Sequence, residues 1–127
     1  DLIWVVAVSL NSVTGRGTRP PSSETLTHAA VHAARRGEPP AAVVHGHSPM
    51  LWHAPPDGWP RTAIRAANGT RALAEAVGVL VGDRPHAGCL TMGGHEDGVL
   101  AWATDFDRAF TALQPGSAGR ARDESRR

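Results

Sequence analysis

The sequence predicts a mixed α/β domain, and three observations carry that reading. Apolar runs rich in β-branched residues stand at Leu2 to Leu10 and at Ala41 to Val44. Other segments place apolar residues at helical spacing. Two further short apolar stretches, Cys89 to Met92 and Gly98 to Trp102, bracket a glycine-containing turn. The resulting order is strand, helix, strand, helix, strand, strand, helix.

Leu2 to Leu10 reads as a largely buried strand with Trp4 in the core. Asn11 to Pro21 holds Gly15, Gly17, Pro20 and Pro21 and reads as a turn-rich connection. Ser22 or Ser23 then caps a helix from Glu24 to Arg36, whose first-turn carboxylate complements the dipole and which Gly37 stops. After Pro39-Pro40 comes the strand Ala41 to His47. Ser48 to Pro60 contains four prolines and reads as an irregular surface segment. A short helical piece is expected from Arg61 to Ala67, and a clear helix from Thr70 to Val81 with Leu73, Ala76, Val77 and Leu80 on one face. Gly82 to Pro85 is a turn, and a last helix runs from Asp105 to Leu113 after Thr104 as N-cap. Trp102 should be core. The domain is expected to span residues 1–113, with 114–127 a disordered tail that has almost nothing to bury.

Composition narrows the chemistry. All 13 basic residues are Arg, and there is no Tyr. Without Lys no Schiff base can form, so carbonyl chemistry would have to be assisted by a metal. The lone Cys89 cannot form an intramolecular disulfide, suits a reducing, cytoplasmic setting, and reads as a small buried residue. Leu2 to Val8 is too short to span a bilayer, so no membrane role is expected. A net charge of +1 with no interleaving of aromatic and basic residues gives no case for nucleic acid.

His45-Gly-His47 closes the second strand. Residues two apart share a strand face, so both imidazoles can reach one divalent cation from positions roughly 7 Å apart. Gly94-His95-Glu96 supplies a third imidazole and Pro21-Ser22-Ser23-Glu24 a carboxylate. Three neutral nitrogens with an open position suit a catalytic metal, zinc first, with manganese, cobalt and nickel as alternatives. His28 and His32 lie one helical turn apart, and packing or a hydrogen bond to a metal-binding imidazole is the better reading for them, His28 above all. His53 and His86 read as solvated loop residues, Trp52 and Trp59 as pocket or contact residues, and Glu96 and Asp97 as turn residues.

Taken together, Pro21-Ser22-Ser23-Glu24 with His28, the stretch Ala42-Val43-Val44-His45-Gly46-His47-Ser48-Pro49, and His95 before a further strand resemble the class II aldolase and adducin family. That family includes L-fuculose phosphate aldolase, L-ribulose phosphate epimerase and methylthioribulose phosphate dehydratase. The resemblance implies a three-layer α/β/α sandwich around a mainly antiparallel sheet, in a homo-oligomer that is usually a tetramer. It implies His45, His47 and His95 as metal ligands, Glu24 as catalytic acid/base, and Ser22 and Ser23 as phosphate contacts. The implied reaction is aldol-type cleavage of a small hydroxy-carbonyl or sugar-phosphate substrate through a metal-stabilised enediolate. Dehydration and epimerisation use the same electrophile. The pattern departs in three ways: the family's N-terminal helices and Gly/Asn-containing phosphate loop are expected to be missing, Met-Gly-Gly-His95-Glu96 replaces a His-Gly pair, and no Tyr can act across a subunit boundary. Those departures leave a non-catalytic, adducin-like assembly domain as the alternative.

Overall fold

Antiparallel pairing organises both sheets. The computed structural model describes residues 3–9, 12–35, 42–84 and 87–114. In chain order its elements are β1 (Trp4–Val8), β2 (Val13–Arg16), α1 (Thr25–Ala34), β3 (Ala42–His47), α2 (Pro49–His53), α3 (Arg71–Gly82), β4 (Gly88–Thr91), β5 (Gly98–Ala103) and α4 (Phe106–Ala112). The larger sheet has the order β3-β5-β4, with β5 antiparallel to both neighbours. The expected α/β class and antiparallel sheet are found.

Alternation along the strands divides the core in two. Leu90, Met92, Leu100 and Trp102 pack with Val31 of α1 and with Leu73, Val77 and Val81 of α3, and Val43 lies against the same cluster. Ala101 and Ala103 point the other way, to Ala109 of α4, together with Ala42, Val44 and Cys89. Of the face expected on the Thr70 to Val81 helix, Leu73 and Val77 are buried in this core and Leu80 packs against it, while Ala76 is half-buried and Ala74 and Val81 take the other buried positions. The helix is capped by Thr70, whose Oγ1 accepts from the Leu73 N–H at 3.2 Å. In α4 the cap is Asp105, one residue later than expected, its Oδ1 accepting from the Arg108 N–H at 2.8 Å.

Several expectations are corrected. The first strand is exposed at every residue of β1, and Trp4 is 76% exposed where Trp102 is 1%. Its only strand partner among the described residues is β2, which forms inside the stretch expected to be a connection. A β-branched run specifies an extended backbone, but burial needs a surface to pack on, and the hairpin is given none by the larger sheet. In the segment from Ser48, α2 forms where irregular chain was expected, because Pro49 sits at its first turn and Ser48 Oγ accepts from the Leu51 N–H at 3.2 Å. Arg61 to Ala67 is not helical. It runs beside the β4–β5 connection, bridging Arg61 to Thr91 and Ala67 to Gly94, with a turn between them in which the Ala66 N–H donates to the Ala63 carbonyl at 3.0 Å. Glycines allow that approach: a Cβ on Gly93 would stand 2.2 Å from the Thr62 carbonyl oxygen, and one on Gly94 2.0 Å from that of Ala66. Helix α1 is shorter than expected, and the expected stop at Arg36-Gly37, the prolines before β3, Pro85, His86 and the tail beyond Gln114 lie outside the described residues.

Candidate metal centre

β3 runs antiparallel to β5, so its last residues meet the first of β5: His45 faces Leu100, and His47 faces Gly98. The β4–β5 connection that carries His95 therefore lies beside the end of β3. It is fastened there by the Ser48 N–H donating to the Asp97 carbonyl at 2.8 Å, with Asp97 itself in the left-handed region at φ 63°. Val43 faces the α1/α3 side of the sheet, and the two-residue repeat of the strand puts His45 and His47 on that side also. The N-terminus of α1 delivers Glu24 to the same place.

The three imidazoles converge. One ligating nitrogen from each of His45, His47 and His95 lies within 4.8 Å of the others. Their ring centroids are 4.7 to 5.1 Å apart. His45 Nδ1 lies 3.0 Å from the Val99 carbonyl oxygen. A carbonyl only accepts, so Nδ1 carries the proton and Nε2 keeps its lone pair for a ligand. His95 Nδ1 is buried with no hydrogen-bond partner among the described residues, and Glu24 Oε1 stands 3.5 Å away. Three imidazoles gathered in this way, one of them with a buried nitrogen facing a buried carboxylate across 3.5 Å, fit a cation better than they fit a protein core.

Glu24 is 4% exposed and sits at the N-cap of α1 without using its side chain as a cap. Its carboxylate is turned inward. Oε2 accepts from Thr27 Oγ1 at 3.1 Å and Oε1 from the Gly69 N–H at 2.9 Å. Ser22 supplies the local turn instead, its Oγ accepting from the Glu24 N–H at 3.2 Å and its carbonyl from the Thr25 N–H at 3.0 Å. Ser22 and Ser23 are both exposed just before α1.

Sequence reasoning missed Thr27 and Gly69. Thr27 lies one helical turn from Glu24, and Asn68-Gly69 is a turn signal that could have been weighed. His28 is half-buried, and its pKa is lowered by burial first and then by His45, while Glu24 opposes the shift. It belongs to the electrostatics of the site, while the expected hydrogen bond to a metal-binding imidazole is not among the described contacts, and His32 is exposed. Trp52 is half-buried and donates its Nε1–H to the Met92 carbonyl at 2.8 Å, steadying the strand before His95. Arg61 lies 4.5 Å above the Trp52 ring and donates to its carbonyl. His53 is exposed, 3.9 Å from the Asp97 carboxylate. Burial pushes the Cys89 thiol up to about 12, which removes the thiolate and agrees with a structural residue.

Residues 1–53 match the family described as the Class II Aldolase and Adducin N-terminal domain. That match supports assignment to the class II aldolase/adducin family. The aldolase/adducin match takes in Ser22, Ser23, Glu24, His45 and His47 and ends before His95. No curated protein and no solved structure matches the chain. Family members include both aldolases and adducins, so the match supports aldolase-like ancestry without fixing an activity. No helix among the described residues is long and apolar enough to cross a membrane.

The electrostatics give a pH dependence. Burial pushes His45 below its ordinary 6.5, with His95 and His47 adding to the depression, while the Val99 carbonyl and Glu24 oppose it. Between that depressed value and 6.5 the unfolded chain binds more protons than the folded one. Stability is thus fully present above about pH 6.5 and declines as pH falls below it. In metal-free protein the urea midpoint is expected to drop from about pH 7.5 to about pH 5.5, and less so in His45→Asn. Equal slopes in the two proteins would contradict the assignment.

Proposed function

We propose that this chain is a metal-dependent lyase of the class II aldolase type, acting on a small hydroxy-carbonyl compound. The observation that carries the reading is the meeting of three imidazoles with a buried carboxylate. His45, His47 and His95 would hold zinc, or manganese, cobalt or nickel. A divalent ion held there would supply Lewis acidity to a substrate carbonyl and its neighbouring hydroxyl. Glu24 would carry the proton. Its carboxylate is shielded from bulk water and held by two donors, which fixes the direction from which a proton is taken or returned. Ser22 and Ser23, exposed before the N-terminus of α1, would receive a phosphate if the substrate has one. Dehydratase and epimerase chemistry need the same groups. The proposal includes a homo-oligomer, a cytoplasmic setting consistent with the single, half-buried Cys89, and the α/β/α sandwich suggested by helices against both faces of the larger sheet.

The test is turnover of a panel of ketose phosphates and simpler hydroxy-ketones by wild type and Glu24→Gln, each with zinc content measured. Wild type should cleave or dehydrate at least one substrate. Glu24→Gln should retain zinc while kcat falls by about 100-fold or more, the usual contribution of a positioned acid/base. Equal background rates in both zinc-loaded proteins would remove the proposal.

One observation favours a second reading, a non-catalytic assembly domain. β1 exposes Trp4, Val5, Val6 and Val8 together, an apolar strip suited to contact with another protein surface. Under that reading Trp4→Ser shifts the sedimentation coefficient, and Glu24→Gln changes nothing.

A further inference from the structure

Glu24 and His95 come from distant parts of the chain, yet one segment touches both. Residues 60–70 run beside the β4–β5 connection. The Thr91 N–H donates to the Pro60 carbonyl and the Thr62 N–H to the Thr91 carbonyl, both at 3.0 Å. Thr62 Oγ1 accepts from the Gly93 N–H at 3.0 Å, and Ala67 bridges to Gly94, the residue next to His95. Two residues on from Ala67, the Gly69 N–H donates to Glu24 Oε1 at 2.9 Å. That oxygen, rather than its twin, is the one 3.5 Å from His95 Nδ1.

Gly69 can do this because of its backbone. Its φ of +73° is in the left-handed region, which L residues other than Asn and Asp rarely enter. A Cβ there would also stand 3.2 Å from Ser23 Cβ, pressing on the turn into α1. The backbone reversal at Gly69 aims its N–H at the carboxylate, and the same segment fixes the approach to His95.

We propose that Gly69 is a positioning residue of the metal centre, holding Glu24 Oε1 in place beside His95. The inference rests on the metal-site reading for its consequence, and on the Gly69 to Glu24 hydrogen bond for its geometry. The bond orients the carboxylate, so Oε1 stays aligned toward the His95 imidazole. Groups that act on a metal ligand from behind in this way typically change metal affinity by about 10–100-fold.

The experiment is a double-mutant cycle on the full chain with Gly69→Ala and Glu24→Gln. Cobalt affinity is read by the visible spectrum of the bound ion, and Tm is read in the metal-free protein. Gly69→Ala should weaken cobalt binding by about 10-fold, and the double variant should lose no more than the more affected single variant. Gly69→Asn, which tolerates the left-handed backbone and keeps the N–H, should recover most of the affinity. In metal-free protein the Tm losses of the two substitutions should be less than additive. Gly69→Ala with wild-type cobalt affinity, or losses that add fully in both readouts, would overturn the proposal. If wild type itself binds no cobalt, the metal reading fails, and the Tm cycle alone decides whether Gly69 holds Glu24.

Discussion

His45→Ala should abolish stoichiometric zinc binding. In wild type, one equivalent per chain is expected after mild purification and dialysis, because three imidazole nitrogens lie within 4.8 Å of one another. His45 is the most constrained of the three rings. Its Nδ1–H is held by the Val99 carbonyl at 3.0 Å, and its strand position is set by pairing with Leu100. Loss of an outer partner of a metal ligand costs about 10–100-fold in affinity, so deletion of the ligand itself should exceed about 100-fold. The side chain is only half-buried, so the fold should survive the change. Bound zinc should also raise the Tm of wild type and leave that of His45→Ala unchanged, because a ligand selective for the native state stabilises it. Zinc content and Tm that are the same in both proteins would show that the imidazoles are not ligands.

Trp102→Ala should produce the largest loss of stability of any single truncation. The residue is 1% exposed and lies in the cluster that joins β4 and β5 to α1 and α3. Removal of a buried Trp side chain costs about 3–5 kcal/mol through lost transfer energy and the cavity left behind. For a domain of this size that is a Tm decrease of about 15 °C or more. Trp4→Ala is the control, because the two tryptophans occupy strands of similar composition but differ in exposure, 76% against 1%. Its effect on the monomer should stay within about 0.5 kcal/mol. Thermal unfolding of both variants checks the pair. A loss at Trp4 equal to that at Trp102 would mean that the hairpin is packed against the rest of the molecule.

Much of the site was legible in the sequence because its parts are local. His45 and His47 share a face through the repeat of the strand alone. Glu24, by contrast, was picked out by the resemblance of Pro21-Ser22-Ser23-Glu24, and it stands at the N-cap of α1 without capping it, rather than in the expected first turn. His95 was legible as a histidine at a glycine turn between two short strands. The two donors that hold Glu24 were not, since Gly69 reaches it across 45 residues of chain. The non-helical path of Arg61 to Ala67 was also hidden. Its composition suits a short helix, and only the close approach of Gly93 and Gly94 holds it against the β4–β5 connection at its two ends. α2 was hidden for another reason, since five residues give too little periodicity to be seen past a proline.

By itself the sequence determined the α/β class and the face of β3 that carries His45 and His47, because side-chain periodicity is a local property. Tertiary structure alone decided which apolar strand is buried and which oxygen of Glu24 faces His95. Both depend on which distant surface arrives alongside, and no local propensity encodes that arrival.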